Sequence, residues 1–144
     1  MRRISRSAIV ERSAAELYAL VEDIESYPRF LPWCVGARVR ERTPQRTVAT
    51  LTLSARGLRQ SFTTENANTP GRAIEMRLLE GPFRRFAGRW RFTPLGPGAA
   101  RIELALEYQL AAGPLGRLLE PLLERMADTM VDAFTRRART RRAR

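Results

Sequence analysis

Residues 114–137 constrain the fold of this chain more than any other stretch. Apolar side chains recur there at steps of three and four residues, and charged side chains occupy most of the positions between them. This spacing predicts one amphipathic helix, whose apolar stripe would consist of Leu115, Leu118, Leu119, Leu122, Leu123, Met126, Met130, Ala133 and Phe134. Such a helix would span roughly 35 Å, so its apolar face requires a large partner.

The rest of the chain supplies that partner as a predicted sheet. Apolar and polar residues alternate over residues 2–11, 35–43, 47–55, 58–66, 72–79, 86–93 and 101–110. Alternation with period two is typical of strands with one buried face, and the short Gly- and Pro-containing turns between them favour antiparallel pairing. After the first strand, Ser13 and Glu16 form a capping-box pattern that predicts a helix ending near Asp23.

These elements predict an α+β domain. A curved antiparallel sheet of about six to seven strands would wrap around the long C-terminal helix, with short helices after strand 1. We expect a single domain over residues 1–137 and a basic, disordered tail over residues 138–144. No apolar run approaches the ~20 residues of a membrane-spanning helix, and the N-terminal residues lack the apolar region of a signal peptide.

Composition excludes several kinds of chemistry. The chain contains no histidine and one cysteine, Cys34, so histidine-based triads, histidine metal ligands and a structural zinc site are not expected. The formal net charge is +11 and every basic residue is arginine. This excess favours an anionic partner such as RNA or an anionic membrane surface, although a GC-rich genome would also replace lysine by arginine.

Four motifs, taken in chain order, resemble a known group of proteins. They consist of Tyr27, Pro28, Phe30, Leu31, Pro32, Trp33 and Cys34; Phe62, Thr63, Thr64 and Asn66; Gly81, Pro82, Phe83, Gly88, Trp90, Phe92, Pro94 and Leu95; and Met130, Val131, Asp132, Ala133, Phe134, Arg137 and Ala138. The chain resembles the START-like, helix-grip superfamily of polyketide cyclases and dehydrases. Within it, the chain is similar to the group that contains the ribosome association toxin RatA and the coenzyme Q-binding proteins.

The resemblance implies two different binding functions. The first is a non-enzymatic carrier that holds ubiquinone, or another polyprenyl quinone or lipid, in support of respiration and requires no cofactor. The alternative is a RatA-type toxin that binds the large ribosomal subunit and blocks its association with the small one. A cyclase or dehydrase enzyme is a third reading. The resemblance also implies a bacterial cytoplasmic location, with peripheral contact to the anionic inner membrane.

A ligand cavity, if present, would lie between the sheet and the long helix. Its predicted lining is Tyr27, Phe30, Trp33, Gln60, Phe62, Thr64, Met76, Leu78, Phe83, Trp90, Phe92, Leu106, Tyr108, Leu122, Met126, Met130 and Phe134. An apolar pocket with few polar anchors suits a large apolar ligand that carries a carbonyl or hydroxyl head group. The residues alone favour a solid core, whereas the resemblance favours a cavity. Residues 27–34 would be either a gate over it or a structural plug.

Charged residues of the sheet are predicted to face outward. Strand phase places Glu65, Glu75, Glu103 and Glu107 opposite the apolar set, so the sheet offers the cavity no acid or base and we expect no catalysis. Cys34 is expected to be a buried small hydrophobe. The arginines on the outward face suit RNA phosphates, and the candidates are Arg77, Arg89, Arg91 and Arg101. The alternative for this face is a solvated surface with ion pairs.

Overall fold

The computed structural model describes residues 2–55 and 57–140. Within these ranges the chain forms seven strands, two α-helices and one 3₁₀ helix. In order they are β1 (Arg2–Val10), α1 (Ala14–Glu22), the 3₁₀ helix (Ile24–Arg29), β2 (Cys34–Thr43), β3 (Arg46–Ala55), β4 (Leu58–Thr69), β5 (Ala73–Glu80), β6 (Phe83–Gly96), β7 (Ala99–Leu110) and α2 (Pro114–Thr140).

The seven strands form one antiparallel sheet in the order β1-β7-β6-β5-β4-β3-β2. Strands β2 to β7 follow one another as a meander, and β1 pairs with β7 from Arg2 opposite Tyr108 to Val10 opposite Ala100. Strands β1 and β2 are therefore opposite edges of the sheet, and α1 with the 3₁₀ helix carries the chain across its inner face. The predicted α+β class, strand number and long C-terminal helix are confirmed.

Strand β6 is longer than the sequence pattern predicted. It continues past Pro94 to Gly96, although proline and glycine in this region indicated a turn. The pairing with β7 shifts register between Pro94 and Gly96. Such an irregularity accommodates a proline, which lacks the amide needed for regular pairing.

The capping box begins α1 as expected. The Ser13 hydroxyl accepts a hydrogen bond from the Glu16 amide at 3.1 Å, and the Glu16 carboxylate accepts one from the Ser13 amide at 3.3 Å. The helix then buries Ala14, Leu17 and Val21 against the core. Polar side chains at Ser13 and Glu16 thus satisfy two amides that a helix start leaves without intrahelical partners.

Helix α2 differs from its prediction in two respects. Leu118 is 64% exposed, so its assignment to the buried stripe is wrong. From the predicted Leu123, the buried surface continues at steps of four residues through Ala127, Val131 and Thr135, which the stripe did not include. This row lies on the side of the helix away from Leu118.

The helix also continues three residues beyond the predicted domain boundary at residue 137. Ala138 is only 2% exposed, and an Arg12 guanidinium N–H donates to the Arg139 carbonyl at 3.4 Å. The predicted tail over residues 138–144 is therefore wrong for residues 138–140, which belong to α2. Residues 141–144 lie outside the described residues.

Aromatic side chains connect α2 to the rest of the domain. The Phe134 ring is fully buried, and its centroid lies 5.4 Å from Tyr27, 5.2 Å from Phe30 and 5.4 Å from Trp90, all edge to face. Trp90 in turn stacks on Phe92 at 6.3 Å. This cluster joins the 3₁₀ helix, β6 and α2 at one point of the core.

We predict that Phe134→Ala lowers the free energy of unfolding by about 3–5 kcal/mol, because it leaves a cavity among three aromatic rings. Leu118→Ala on the same helix is the matched control, since an exposed substitution changes stability by about 0.5 kcal/mol or less. Urea denaturation followed by circular dichroism measures both. Equal losses in the two variants would contradict the packing described for α2.

Candidate functional site

The space between the sheet and α2 is nearly filled. One interior cavity of about 10 Å³ lies below the β5–β6 hairpin, and its walls are Leu53, Gln60, Phe62, Pro82, Phe83, Leu119 and Leu123. A volume of this size accommodates about one water molecule. The predicted ligand residues Gln60, Phe62 and Phe83 meet here, and Phe62 and Phe83 contact each other edge to face at 5.8 Å.

A second cavity of about 10 Å³ lies at the other end of the interior, beneath α1 and the 3₁₀ helix. Its walls are Val21, Glu22, Ile24, Tyr27, Thr47, Asn66, Asn68, Ile74, Met76 and Trp90. Three of the predicted ligand residues, Tyr27, Met76 and Trp90, are among them. This cavity differs from the first because a cluster of polar side chains forms one of its walls.

A short hydrogen-bond chain orders these polar groups. The Thr47 hydroxyl donates to the Glu22 carboxylate at 3.1 Å, and the Asn68 amide nitrogen donates to the Thr47 oxygen at 2.9 Å. Beside it, the Thr64 hydroxyl donates to the Asn66 carbonyl oxygen at 2.8 Å. The side-chain oxygen of Asn68 is buried and has no hydrogen-bond partner among residues 2–55 and 57–140.

Glu22 was not foreseen from the sequence. The four sheet carboxylates do lie out of phase with the buried set, and Glu65 pairs with Arg46 and Arg77 while Glu107 pairs with Arg3. Glu22 comes instead from the last turn of α1 and reaches the second cavity. Its carboxylate also accepts from Arg42 at 2.9 Å, so this partly buried carboxylate has a cationic partner on its solvent side.

Strand phase would have identified Thr47 and Asn68, the other two members of the hydrogen-bond chain. Thr47 has the same phase in β3 as Ala49, Leu51 and Leu53, the apolar positions of the alternation over residues 47–55. Asn68 is two residues beyond Asn66 and shares its face, but the pattern placed the end of β4 at Asn66, whereas β4 continues to Thr69.

The remaining predicted ligand residues line neither of these two cavities. They pack in the core or at its margin, as Phe30, Trp33, Thr64, Leu78, Phe92, Leu106, Tyr108, Leu122, Met126, Met130 and Phe134. Gly88 also serves this packing, because a Cβ there would lie 2.5 Å from the Met76 methyl carbon and 2.9 Å from a Leu106 methyl carbon.

Residues 27–34 pack as a plug on the core. The Tyr27 hydroxyl donates to the Val21 carbonyl, and burial raises the pKa of Tyr27. The Trp33 indole N–H lies 3.4 Å from the Thr129 hydroxyl oxygen of α2, and the Arg137 guanidinium lies 4.7 Å above the Phe30 ring. Of the two alternatives for this segment, these contacts favour the plug over the gate.

Cys34 lies at the end of this plug and is buried. Its thiol donates to the Gly36 carbonyl at 3.3 Å. Burial raises the pKa of the Cys34 thiol, which disfavours the reactive thiolate. Among residues 2–55 and 57–140, no three potential metal-ligating side chains cluster together, and no helix is long and apolar enough to cross a membrane.

The outward face of the sheet carries the predicted arginines, and all four are exposed. Arg77 pairs with Glu65. Hydrogen bonds from the Arg46 and Arg77 guanidinium groups hold the pKa of Glu65 below its usual range. Arg89, Arg91 and Arg101 form no ion pair within 4 Å in the described part of the chain. Three cations on β6 and β7 thus remain available to an external anion.

Comparison with known proteins agrees with this architecture. Residues 10–135 match the family model described as polyketide cyclase / dehydrase and lipid transport. The ribosome association toxin RatA of Escherichia coli (strain K12) is 41% identical over 139 residues, which cover 96% of this chain and 88% of that protein. The mitochondrial coenzyme Q-binding protein coq10 of Schizosaccharomyces pombe is 25% identical over 131 residues, covering 85% of this chain and 78% of that protein.

Solved structures show the same fold. The Zhui aromatase/cyclase from Streptomyces sp. R1128 superposes with a TM-score of 0.87, at 21% identity, over 99% of this chain and 96% of that one. The family model and the RatA relative each span most of the sequence. The chain therefore belongs to the polyketide cyclase / dehydrase and lipid transport family, in its RatA group.

Proposed function

We propose that the protein binds the large ribosomal subunit through the outward face of its sheet and blocks subunit association. The observation that carries this proposal is the set of free cations at Arg89, Arg91 and Arg101. They occur in a chain that is 41% identical, almost end to end, to a protein named ribosome association toxin. Such binding would place the activity in the bacterial cytoplasm.

The geometry of the sheet suits contact with a folded RNA. Arg89 and Arg91 are two residues apart on β6, and Arg101 pairs with Thr93 on the neighbouring strand, so the three positions span roughly 15 Å. A paired sheet holds them in fixed relative positions, and each guanidinium can bind a phosphate through two parallel hydrogen bonds. The aromatic residues face inward, which favours backbone contacts over base stacking.

Glutamates limit the strength of this surface. Glu75 lies opposite Arg89 in the register of β5 and β6, and Glu103 lies opposite Arg91 in that of β6 and β7. The negative charges of these two glutamates would repel phosphates. We therefore expect the protein to select RNA by its shape, and its affinity to fall steeply as the salt concentration rises.

We predict that the triple variant Arg89→Gln/Arg91→Gln/Arg101→Gln weakens association with purified large ribosomal subunits. Loss of three phosphate contacts should reduce the slope of log K against log salt concentration by about 2–3. Co-sedimentation with large subunits over a salt series measures this slope, and small subunits test selectivity.

The matched control is Arg29→Gln/Arg125→Gln/Arg139→Gln, which removes the same charge from exposed positions on the 3₁₀ helix and α2, away from the outward face of the sheet. We expect it to lower affinity less and to keep a steeper slope. Absence of large-subunit binding by the unmodified protein at low salt would exclude the proposed function. Equal effects of the two triple variants would exclude this particular face.

A second candidate function is favoured by the free oxygen of Asn68. The Glu22 carboxylate can only accept, so Thr47 must donate to it and receive its own hydrogen bond from the Asn68 NH₂ group. This order leaves the carbonyl oxygen of Asn68, a residue that lines the cavity, as an acceptor without a partner in the described structure. We propose that it receives a hydroxyl of an apolar ligand, and a polyprenyl quinol offers such a donor where a quinone does not.

The family description, which includes lipid transport, and the similarity to coq10 support this candidate. The 10 Å³ cavities require α2 or the plug to move before a polyprenyl tail can enter. We propose binding without catalysis, because the Glu22 carboxylate is already engaged by Arg42 and Thr47. The proposed binding requires no cofactor.

We predict that purified protein retains or takes up a reduced polyprenyl quinol in preference to the oxidised quinone, and that Asn68→Leu loses this preference. Organic extraction with mass spectrometry, followed by titration with short-tailed quinol and quinone, measures it. Gln45→Leu, at an exposed turn residue, is the control. Failure to extract a lipid, together with failure to bind either added form, would exclude the carrier.

A further inference from the structure

A third space lies outside the two sites described above. It is a surface cleft of about 380 Å³ between the start of β1, the end of β7 and the first turns of α2. Arg2, Tyr108, Arg117 and Glu120 are among its walls. This cleft is much larger than either interior cavity, and its size is in the range of small-molecule sites.

Tyr108 gives the cleft an unusual polar group. The residue is 1% exposed, and its buried hydroxyl has no hydrogen-bond acceptor among residues 2–55 and 57–140. Arg2 is its register partner on β1 and lies near enough to oppose the rise that burial causes in the pKa of Tyr108. A guanidinium only donates, so Arg2 cannot accept the Tyr108 proton. That O–H therefore needs an acceptor from outside the described structure.

An unpaired cation and the start of a long helix favour an anionic acceptor, although carboxylates also lie near Tyr108. Helix α2 is 27 residues long and begins here at Pro114, so its first amides and its dipole direct partial positive charge toward this end. Arg117 is exposed and forms no ion pair within 4 Å in the described ranges. Glu120 would repel an anion, but it lies 3.8 Å from the Arg2 guanidinium, which also pairs with Glu124.

The backbone holds the helix start in place against the end of β7. Gly113 has a φ of +101°, a conformation that favours glycine. Gly116 is buried where a Cβ would collide with the Ala111 carbonyl oxygen. The first turn of α2 can approach β7 this closely only because residue 116 has no side chain, and the approach brings its amides to the same cleft as Tyr108.

We propose that this cleft binds a phosphate monoester, from a small phosphorylated molecule or from a lipid head group. The Tyr108 hydroxyl donates to one phosphate oxygen, and Arg117 supplies the main charge-assisted contact. The free amides of the first turn of α2 donate to the remaining oxygens. Arg2 remains at the wall of the cleft, where it offsets the charges of Glu120 and Glu124. This site is separate from the proposed ribosome-binding face and does not depend on it.

Inorganic phosphate and glycerol 3-phosphate are the probes for the first test, with chloride at matched ionic strength as the reference. We expect both probes to raise the melting temperature and to shift the amide resonances of Leu115 and Gly116. Tyr108→Phe should weaken phosphate binding about tenfold, the effect of losing a hydrogen bond to a charged group. Arg117→Gln should weaken it similarly, whereas Arg125→Gln, on the same helix but outside the cleft, should not.

Tyr108→Phe also separates a ligand site from a structural tyrosine. Without phosphate, the variant should melt at the same or a higher temperature than the unmodified protein, because it removes a buried hydroxyl that lacks a partner. With phosphate, the order should reverse. A variant that melts lower in chloride and keeps its phosphate affinity would overturn the proposal, as would the absence of any phosphate effect beyond that of chloride.

A second arm identifies the source of the phosphate. Flotation with vesicles of phosphatidylcholine containing phosphatidic acid, compared with phosphatidylcholine alone, reports on a lipid head group. Binding that requires phosphatidic acid and is lost in Tyr108→Phe assigns the lipid source, whereas binding of glycerol 3-phosphate without vesicle binding assigns a small molecule. Vesicle binding that survives in Tyr108→Phe and Arg117→Gln counts against the cleft.

Discussion

Burial of α2 against the inner face of the sheet is the interaction on which the rest of the structure depends. Phe134 is fully buried among Tyr27, Phe30 and Trp90, so one side chain of the helix contacts both the plug and the sheet. The aromatic rings bury large apolar areas and add favourable edge-to-face contacts. A helix held this way packs closely on the sheet, and its buried side chains form one core with those of the strands.

This close packing determines where polar chemistry can occur inside the domain. Buried polar groups need hydrogen-bond partners, and here Glu22, Thr47 and Asn68 provide them for one another at the end of the sheet beneath α1. The Glu22 carboxylate at one end of this hydrogen-bond chain fixes the donor and acceptor directions of Thr47 and Asn68. One acceptor therefore remains on Asn68, and an interior ligand would have to supply a donor to it.

The fold was largely predictable because its signals are local. Alternation in β7 assigned Ile102, Leu104, Leu106 and Tyr108 to the interior, and all four are buried. Side chains alternate strictly between the two faces of a strand. The outward direction of Arg89 and Arg91 was therefore predictable in the same way. The capping box at Ser13 likewise depends on residues only three apart.

The misassigned residues depend on contacts between distant segments. Leu118 has the spacing of a core residue, but the rotation of α2 on the sheet leaves it in solvent. Ala138 belongs to the helix because α2 remains packed beyond residue 137, which no nearby residue indicates. Glu22 lines a cavity that also includes residues of β3, β4, β5 and β6, which are distant in sequence. The pattern of α1 predicts that Val21 is buried, but it does not indicate that the next residue reaches a cavity formed by distant strands.

The two faces of the sheet explain how one fold can carry unrelated binding functions. Residues two apart on a strand share a face. Arg89 and Arg91 lie on the outer face of β6, so they can be replaced without altering Trp90 and Phe92, which pack in the core from the inner face. Charge on the outer face is thus independent of cavity size on the inner face. In this chain the inner face is nearly closed and the outer face keeps unpaired arginines, so the outer surface is the better supported site of recognition.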